Sequence, residues 1–274
     1  MGADMSLGRC GMNEANARPE AERRSQSVGG GYWYRLDLQY DGTAFRGWAR
    51  QPDVPTVQGA LETALGTVLG EVPVLRVAGR TDSGAHARRQ VVSVELDRHL
   101  DCAALVRSLN ALTPPEMCVS ACTAMPIKFD ARADACSRTY RYFLTTAAVP
   151  DPFTRRYCLH VSRALDMGLL HKTAELTIGQ HDFRAFTPTD TEHVFFHRTV
   201  LACAWSCDKP FVWLEIEANA FLRQMVRTLV GTMLEVAKGK LTVADYQALL
   251  EGKERTQAGP TAPAHGLFLW SVKY

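Results

Sequence analysis

The stretch Ala78–Ala87, AGRTDSGAHA, sets one acid, Asp82, between Gly79 and Gly84, with Arg80 two residues before it and His86 four after it. Two apolar runs flank it, VPVLRVA over 72–78 and QVVSVEL over 90–96. Both read as short strands. The stretch is therefore a loop joining two strands, and loops held on a rigid sheet are where binding and chemistry concentrate. An isolated Asp-Ser-Gly is most simply a turn, because Asp and Gly are the usual turn residues. The aspartic-protease reading needs two carboxylates sharing a proton, and only one such triplet occurs. A neighbouring arginine also opposes that shared proton, since it favours the ionised acid. No Gly-x-x-x-x-Gly-Lys-Ser/Thr is present, so a phosphate-cradling loop is not indicated.

Working outward, the chain alternates strands and helices. Tyr34, Leu36, Leu38 and Tyr40 alternate with polar residues, which predicts a half-buried strand. Thr56 caps a predicted helix through Leu69, and Asp101 caps another through Leu112, stopped by Pro114 and Pro115. SRTYRYFLTT, RTVLACAWS, FVWLEIEA and LFLWSVKY read as strands. ALDMGLLHKTAELTIG reads as a helix ending at Gly179. AFLRQMVRTLVGTMLEVAKG reads as a long helix with Gly239 just past its end, and Thr242 caps a short one. The same order of elements appears in each half without a sequence repeat. The expectation is an α+β protein of two lobes, 32–127 and 128–274, behind a disordered tail over 1–31.

Composition sets the bounds. The 274 residues are 46% hydrophobic and 22% charged, ordinary for a soluble globular protein. No apolar run is long enough to span a bilayer. The N-terminal stretch lacks a signal peptide's apolar core, so a cytoplasmic protein without membrane association is expected. A net charge of +2 leaves nucleic acid open, because clustering of basic residues matters more than their total. Of eight cysteines, Cys118/Cys122 and Cys203/Cys207 are four apart, in predicted strands. Four strand residues span roughly 13 Å, too far to share one metal. Reduced thiols acting as small apolar residues are expected.

The company of the opening motif decides more than the motif alone. AGRTDSGAHA is joined, in order, by YDGTAFRGWARQP, TVQGALETAL, LNALTPPEM, FDARADACSRTYRYFL, GQHDFRAF, FLRQMVRTLVGTMLEV and GPTAPAHGLFLWSVKY. Over residues 34–274 the chain resembles the tRNA pseudouridine synthase A family, whose signature reads GRTDxGxHA. Ser83 and Ala85 stand where that family often has alanine and valine, and Ala49 where glutamine is common. None of these departures removes a reacting group.

The resemblance implies the pseudouridine synthase fold: two lobes sharing a mixed, largely antiparallel sheet, with flanking helices and a central RNA-binding cleft. It implies isomerisation of uridine to pseudouridine in the anticodon stem-loop of tRNA, at positions 38, 39 and 40, on a flipped-out base. It implies a homodimer with tRNA as its partner, and neither metal nor cofactor. By resemblance Asp82 is the catalytic acid. An aspartate, with an ordinary pKa of about 3.9, is already an anion at neutral pH. Whether it attacks the base, attacks the sugar or assists elimination stays open.

Tyr140 is expected against the target uracil, since a flipped base needs a π-face. Arg80 is expected to contact RNA. Arginines on a helix ordinarily face solvent, but the resemblance pairs Arg227 with Asp82 from the other lobe. Arg223, one turn before, shares its predicted helix face. Gly231, one turn on, is expected to let that helix approach the sheet. Arg46, Arg50, Arg88, Arg89, Arg138, Arg141, Arg155 and Arg156 are candidates for a phosphate-binding rim. His86 and His181 are left out of the catalytic set. The rival readings are a synthase of the same fold with another RNA target, and a non-catalytic tRNA-binding or RNA-folding protein.

Overall fold

The computed structural model describes residues 31–274. The expected disordered tail lies, except for Gly31, outside the described residues. Ten strands form one mixed sheet, with helices packed against it. In chain order the elements are β1 (Tyr32–Tyr40), α1 (Val57–Leu69), β2 (Leu75–Val77), β3 (His86–Leu96), α2 (Cys102–Leu112) and β4 (Met117–Met125). They continue with β5 (Ser137–Thr145), β6 (Leu159–His160), α3 (Met167–Thr177), β7 (Gly179–Asp182), β8 (His197–Asp208) and β9 (Phe211–Ala218). The last are α4 (Met225–Ala237), α5 (Val243–Leu249) and β10 (Leu267–Lys273).

The strand order is β4-β1-β3-β10-β5-β9-β8-β7, with β2 on β3 and β6 on β5. Pairing is antiparallel except between β10 and β3 and between β5 and β6. This is the α+β, largely antiparallel sheet that the sequence predicts. β10 is the seam. It pairs with β3 from the first half of the chain and with β5 from the second. One continuous apolar core runs across it, from Tyr34 and Leu36 through Tyr142 to Leu229 and Leu269.

Local sequence accounts for most elements. The alternation in β1 buries Tyr34, Leu36, Leu38 and Tyr40 on one face. Each fully buried leucine contributes roughly 1.5–3 kcal/mol. The Thr56 hydroxyl accepts the Gly59 N–H at the start of α1. Asp101 accepts from Ala103 and Ala104 at the start of α2. Thr242 and Asp245 cap α5 reciprocally.

Four boundaries depart from the sequence reading. β2 keeps only three of the seven residues predicted, because Val72 and Val74 point to solvent around Pro73. β3 starts at His86, so the loop is shorter than its motif. The predicted helix ending at Gly179 ends at Thr177, and Gly179 opens β7, paired with β8. The helix predicted from Ala220 begins only at Met225, after Gln224 in a left-handed conformation (φ +59°).

The described residues contain no helix long and apolar enough to cross a membrane. Cys102, Cys118, Cys122, Cys158, Cys203 and Cys207 are free thiols.

Candidate active site

Asp82 lies in the loop between β2 and β3, beside the seam strand. Its carboxylate meets the guanidinium of Arg227, on the first turn of α4, with Nη1 to Oδ2 at 2.6 Å. The two residues are 145 apart in sequence. Arg227 Nε also donates to the Ala262 carbonyl at 2.7 Å, and the Ala262 N–H donates back to the Arg227 carbonyl at 3.0 Å. The segment leading into β10 therefore fixes the arginine that faces the acid. Such charge-assisted bonds are about twice as strong as neutral ones. Side-chain exposures of 15% for Arg227 and 23% for Asp82 leave the pair open to an incoming molecule.

Gly231, one turn after Arg227, has a different purpose from the one expected. A Cβ there would stand 1.7 Å from the Pro260 carbonyl oxygen. The glycine admits the Pro260–Ala262 segment, not the sheet. That contact is what brings the Ala262 carbonyl within reach of Arg227.

Tyr140 is on β5, on the face against which α4 packs. Its ring packs edge-on to Phe221 at 4.9 Å. A Cβ on Gly79 would come 3.3 Å from its hydroxyl, so the phenol reaches the backbone of the Asp82 loop. Burial pushes the Tyr140 pKa far above the ordinary phenol value, and Tyr40 and Asp82 push it the same way. Tyr140 therefore stays a neutral hydrogen-bond donor and is not a resident base. The late start of α4 explains Phe221: released from the helix, it turns onto Tyr140. Arg223 leaves the Arg227 face for the same reason. It pairs with Asp190, and its carbonyl accepts the Thr187 hydroxyl.

Arg80 is exposed and has no ion-pair or hydrogen-bond partner among the described residues. Arg46, Arg88, Arg89, Arg155 and Arg156 are also exposed. Arg50 pairs with Glu62. Two of the rim candidates prove otherwise. Arg138 is buried and donates to four carbonyls, those of Ala78, Arg132, Ala135 and Asn219. It shares the inward face of β5 with Tyr140, so it ties the start of the Asp82 loop to the second half of the chain. Arg141 lies on the opposite face, stacked 4.0 Å over Trp270 and paired with Glu215.

His86 is fully buried beneath the loop, stacked on Phe268 at 4.5 Å. Its Nδ1 accepts the Gly42 N–H at 2.9 Å, and Nε2 lies 3.0 Å from the carbonyls of Arg156 and His265. A carbonyl only accepts, so the proton is on Nε2. Burial lowers the His86 pKa, against the opposing pull of Asp41. His86 is thus a neutral structural bridge, and His181 is hydrogen-bonded to the Ile178 carbonyl three residues before it. Tyr157, a residue that sequence reasoning missed, donates to Asp41 at 2.8 Å and closes this bridge from outside. The described residues hold no cluster of three metal-ligating side chains.

Proteins named tRNA pseudouridine synthase A align with nearly all of this chain. That of Chlorobium chlorochromatii (strain CaD3) is 39% identical over 241 residues, 88% of this chain and 98% of its own. That of Chlorobaculum tepidum (strain ATCC 49652 / DSM 12025 / NBRC 103806 / TLS) is 40% identical over 243 residues, covering 88% and 97%. The chain belongs to the tRNA pseudouridine synthase A family. A third member, from Methylacidiphilum infernorum (isolate V4), is 38% identical over 242 residues, covering 88% and 95%. A family model described as tRNA pseudouridine synthase matches residues 173–274, which include Arg227, Gly231 and the seam strand of this tRNA pseudouridine synthase A relative.

Proposed function

We propose that the protein isomerises uridine to pseudouridine in the anticodon stem-loop of tRNA, at positions 38, 39 and 40, with Asp82 as nucleophile. In this reading it acts as a cytoplasmic homodimer, and residues 32–127 and 128–274 form two lobes about an RNA-binding cleft. The observation that carries the reading is the Asp82–Arg227 pair at 2.6 Å, made between the signature loop and α4 in a chain of this family.

The chemistry suits the groups present. The uracil N1–C1′ bond breaks, the base turns over, a C5–C1′ bond forms, the C5 hydrogen leaves as a proton and N1 takes up a proton. Substrate and product are isomers, so no oxidant, reductant or group donor is needed. An acid facing a polyanion repels it, and Arg227 offsets that charge locally. Tyr140, held as a phenol, offers a ring edge and a donor to an extruded base. Flipping costs a few kcal/mol, supplied by backbone contacts from exposed cations such as Arg80, whose contribution falls with salt. The free thiols of Cys102, Cys118, Cys122, Cys158, Cys203 and Cys207 agree with a reducing compartment.

Release of tritium from tRNA labelled at uracil C5 tests the reading, with Asp82→Asn assayed beside the wild type and tRNA binding measured on filters. The wild type is expected to release tritium, and Asp82→Asn to bind tRNA and release none. Binding without release by the wild type would move the assignment to another RNA target or to a non-catalytic binder. Normal turnover by Asp82→Asn would remove the acid from the mechanism.

A further inference from the structure

A buried chain of polar side chains lies under the Asp82 loop. Gln90, on β3, is fully buried. Its Nε2 donates to the Gly79 carbonyl at 2.7 Å and to the Tyr40 hydroxyl at 3.2 Å. A carbonyl only accepts, so the Gly79 contact fixes which end of the amide is the NH2. The Tyr40 oxygen therefore accepts from Gln90, and its hydroxyl shares a second hydrogen bond with Thr81 Oγ1 at 2.8 Å. Burial drives the Tyr40 phenol up to about 12, opposed by its hydrogen bonds to Thr81 and Gln90, so it stays protonated at neutral pH.

The chain ends on the residue before Asp82. Thr81 is held a second time through its carbonyl, which accepts the Trp48 N–H at 3.1 Å. The Trp48 ring in turn packs against Tyr40 at 6.2 Å. Gly79 and Thr81 are thus both tethered to one buried unit, while Arg80 between them projects into solvent. A core that needed only to be stable would be served as well by apolar groups of the same shape, because a buried polar chain gains little net stability. What this chain adds is direction. It runs from Gln90 through Tyr40 to the side chain of Thr81, whose backbone continues into Asp82.

We infer that Tyr40 and Gln90 are positioning residues for the isomerisation: acting through Thr81 and Gly79, they hold the Asp82 carboxylate at the reacting base. The inference rests on the functional reading above. Neither side chain is placed to touch the substrate, so their effect belongs in the rate of the chemical step and not in tRNA affinity.

The test is single-turnover tritium release, with enzyme in excess over C5-labelled tRNA, for the wild type, Tyr40→Phe, Thr81→Val and the double variant. Each single variant is expected to lower the rate constant about tenfold, the scale of effect of a small misplacement at a reacting centre. The double variant is expected to fall no further than the worse single, because both substitutions cut the same chain. tRNA affinity stays within about twofold. A partly folded preparation lowers the amplitude and leaves the rate constant alone, so a merely structural role is told apart. Gln90→Met, of similar length and without donors, repeats the test from the other end of the chain if Tyr40→Phe does not fold. A wild-type rate constant in Tyr40→Phe, or single effects that multiply in the double variant, overturns the inference. A wild type that releases no tritium overturns the functional reading, and this inference with it.

Discussion

Truncating Arg227 to alanine removes two charge-assisted hydrogen bonds with separate consequences. One reaches Asp82 at 2.6 Å, the other the Ala262 carbonyl at 2.7 Å. Bonds to charged groups contribute roughly 1.5–3 kcal/mol. The Asp82 pair is partly open to water, so the lower figure applies, about 1.5 kcal/mol for each. If the first bond aims the acid in the transition state, its loss lowers kcat about tenfold. The second bond ties the Pro260–Ala262 segment to α4, so its loss appears as stability. At about 2–4 °C per kcal/mol for a chain of this size, Tm falls by about 3–6 °C. Steady-state tritium release and a thermal melt read the two effects separately. Arg227→Lys keeps the charge and lacks the second, rigidly held donor, so it is expected to recover rate better than Tm. Full kcat in Arg227→Ala at neutral pH would refute the pairing argument, whatever the melt showed.

The structure makes two further predictions. Burial lowers the His86 pKa below its ordinary value of about 6.5, so the unfolded chain binds this proton more readily than the folded one. Stability is then fully present above about pH 6.5 and declines as pH falls below it. Tm measured from pH 7.5 to 5.5 is expected to hold and then drop, and a rise on acidification contradicts the assignment. Gly231→Ala gains about 1 kcal/mol of helix propensity but drives a Cβ to 1.7 Å from the Pro260 oxygen. A net loss of about 2 kcal/mol is expected, with slower turnover as Ala262 is pushed off Arg227. A stabilised variant would show that the segment yields freely.

Elements with a local cause were legible in the sequence. Alternation marks β1, and the Thr56 and Asp101 hydrogen bonds mark the starts of α1 and α2. β7 was not legible, because Gly179, Gln180, His181 and Asp182 carry no apolar alternation and become a strand only by pairing with β8. The late start of α4 was hidden too. Phe221 and Leu222 suit a helix, and only contacts to Tyr140 and the core pull them out of it. Arg138 read as a surface cation because its four acceptors are backbone carbonyls without a side-chain signature, and two of them, those of Ala78 and Asn219, come from distant parts of the chain. The Asp82–Arg227 contact was expected from family resemblance alone. No local pattern relates residues so far apart, and the Ala262 carbonyl that orients the arginine is a backbone atom with no side-chain signature.

β10 is the last strand in the chain, yet it occupies the middle of the sheet, between β3 and β5. During synthesis, the loop bearing Asp82 and the helix bearing Arg227 both emerge before the strand that lies between their halves exists. Until residues 267–273 are available, the positions on β3 and β5 that β10 pairs stay open, and the strand between the acid's half and its partner's is missing. Pairings of such long sequence separation form late and slowly. On the function proposed above, catalytic competence is timed by the order of translation: a nascent chain lacking those seven residues carries Asp82, Tyr140 and Arg227 without the strand that sets their halves side by side.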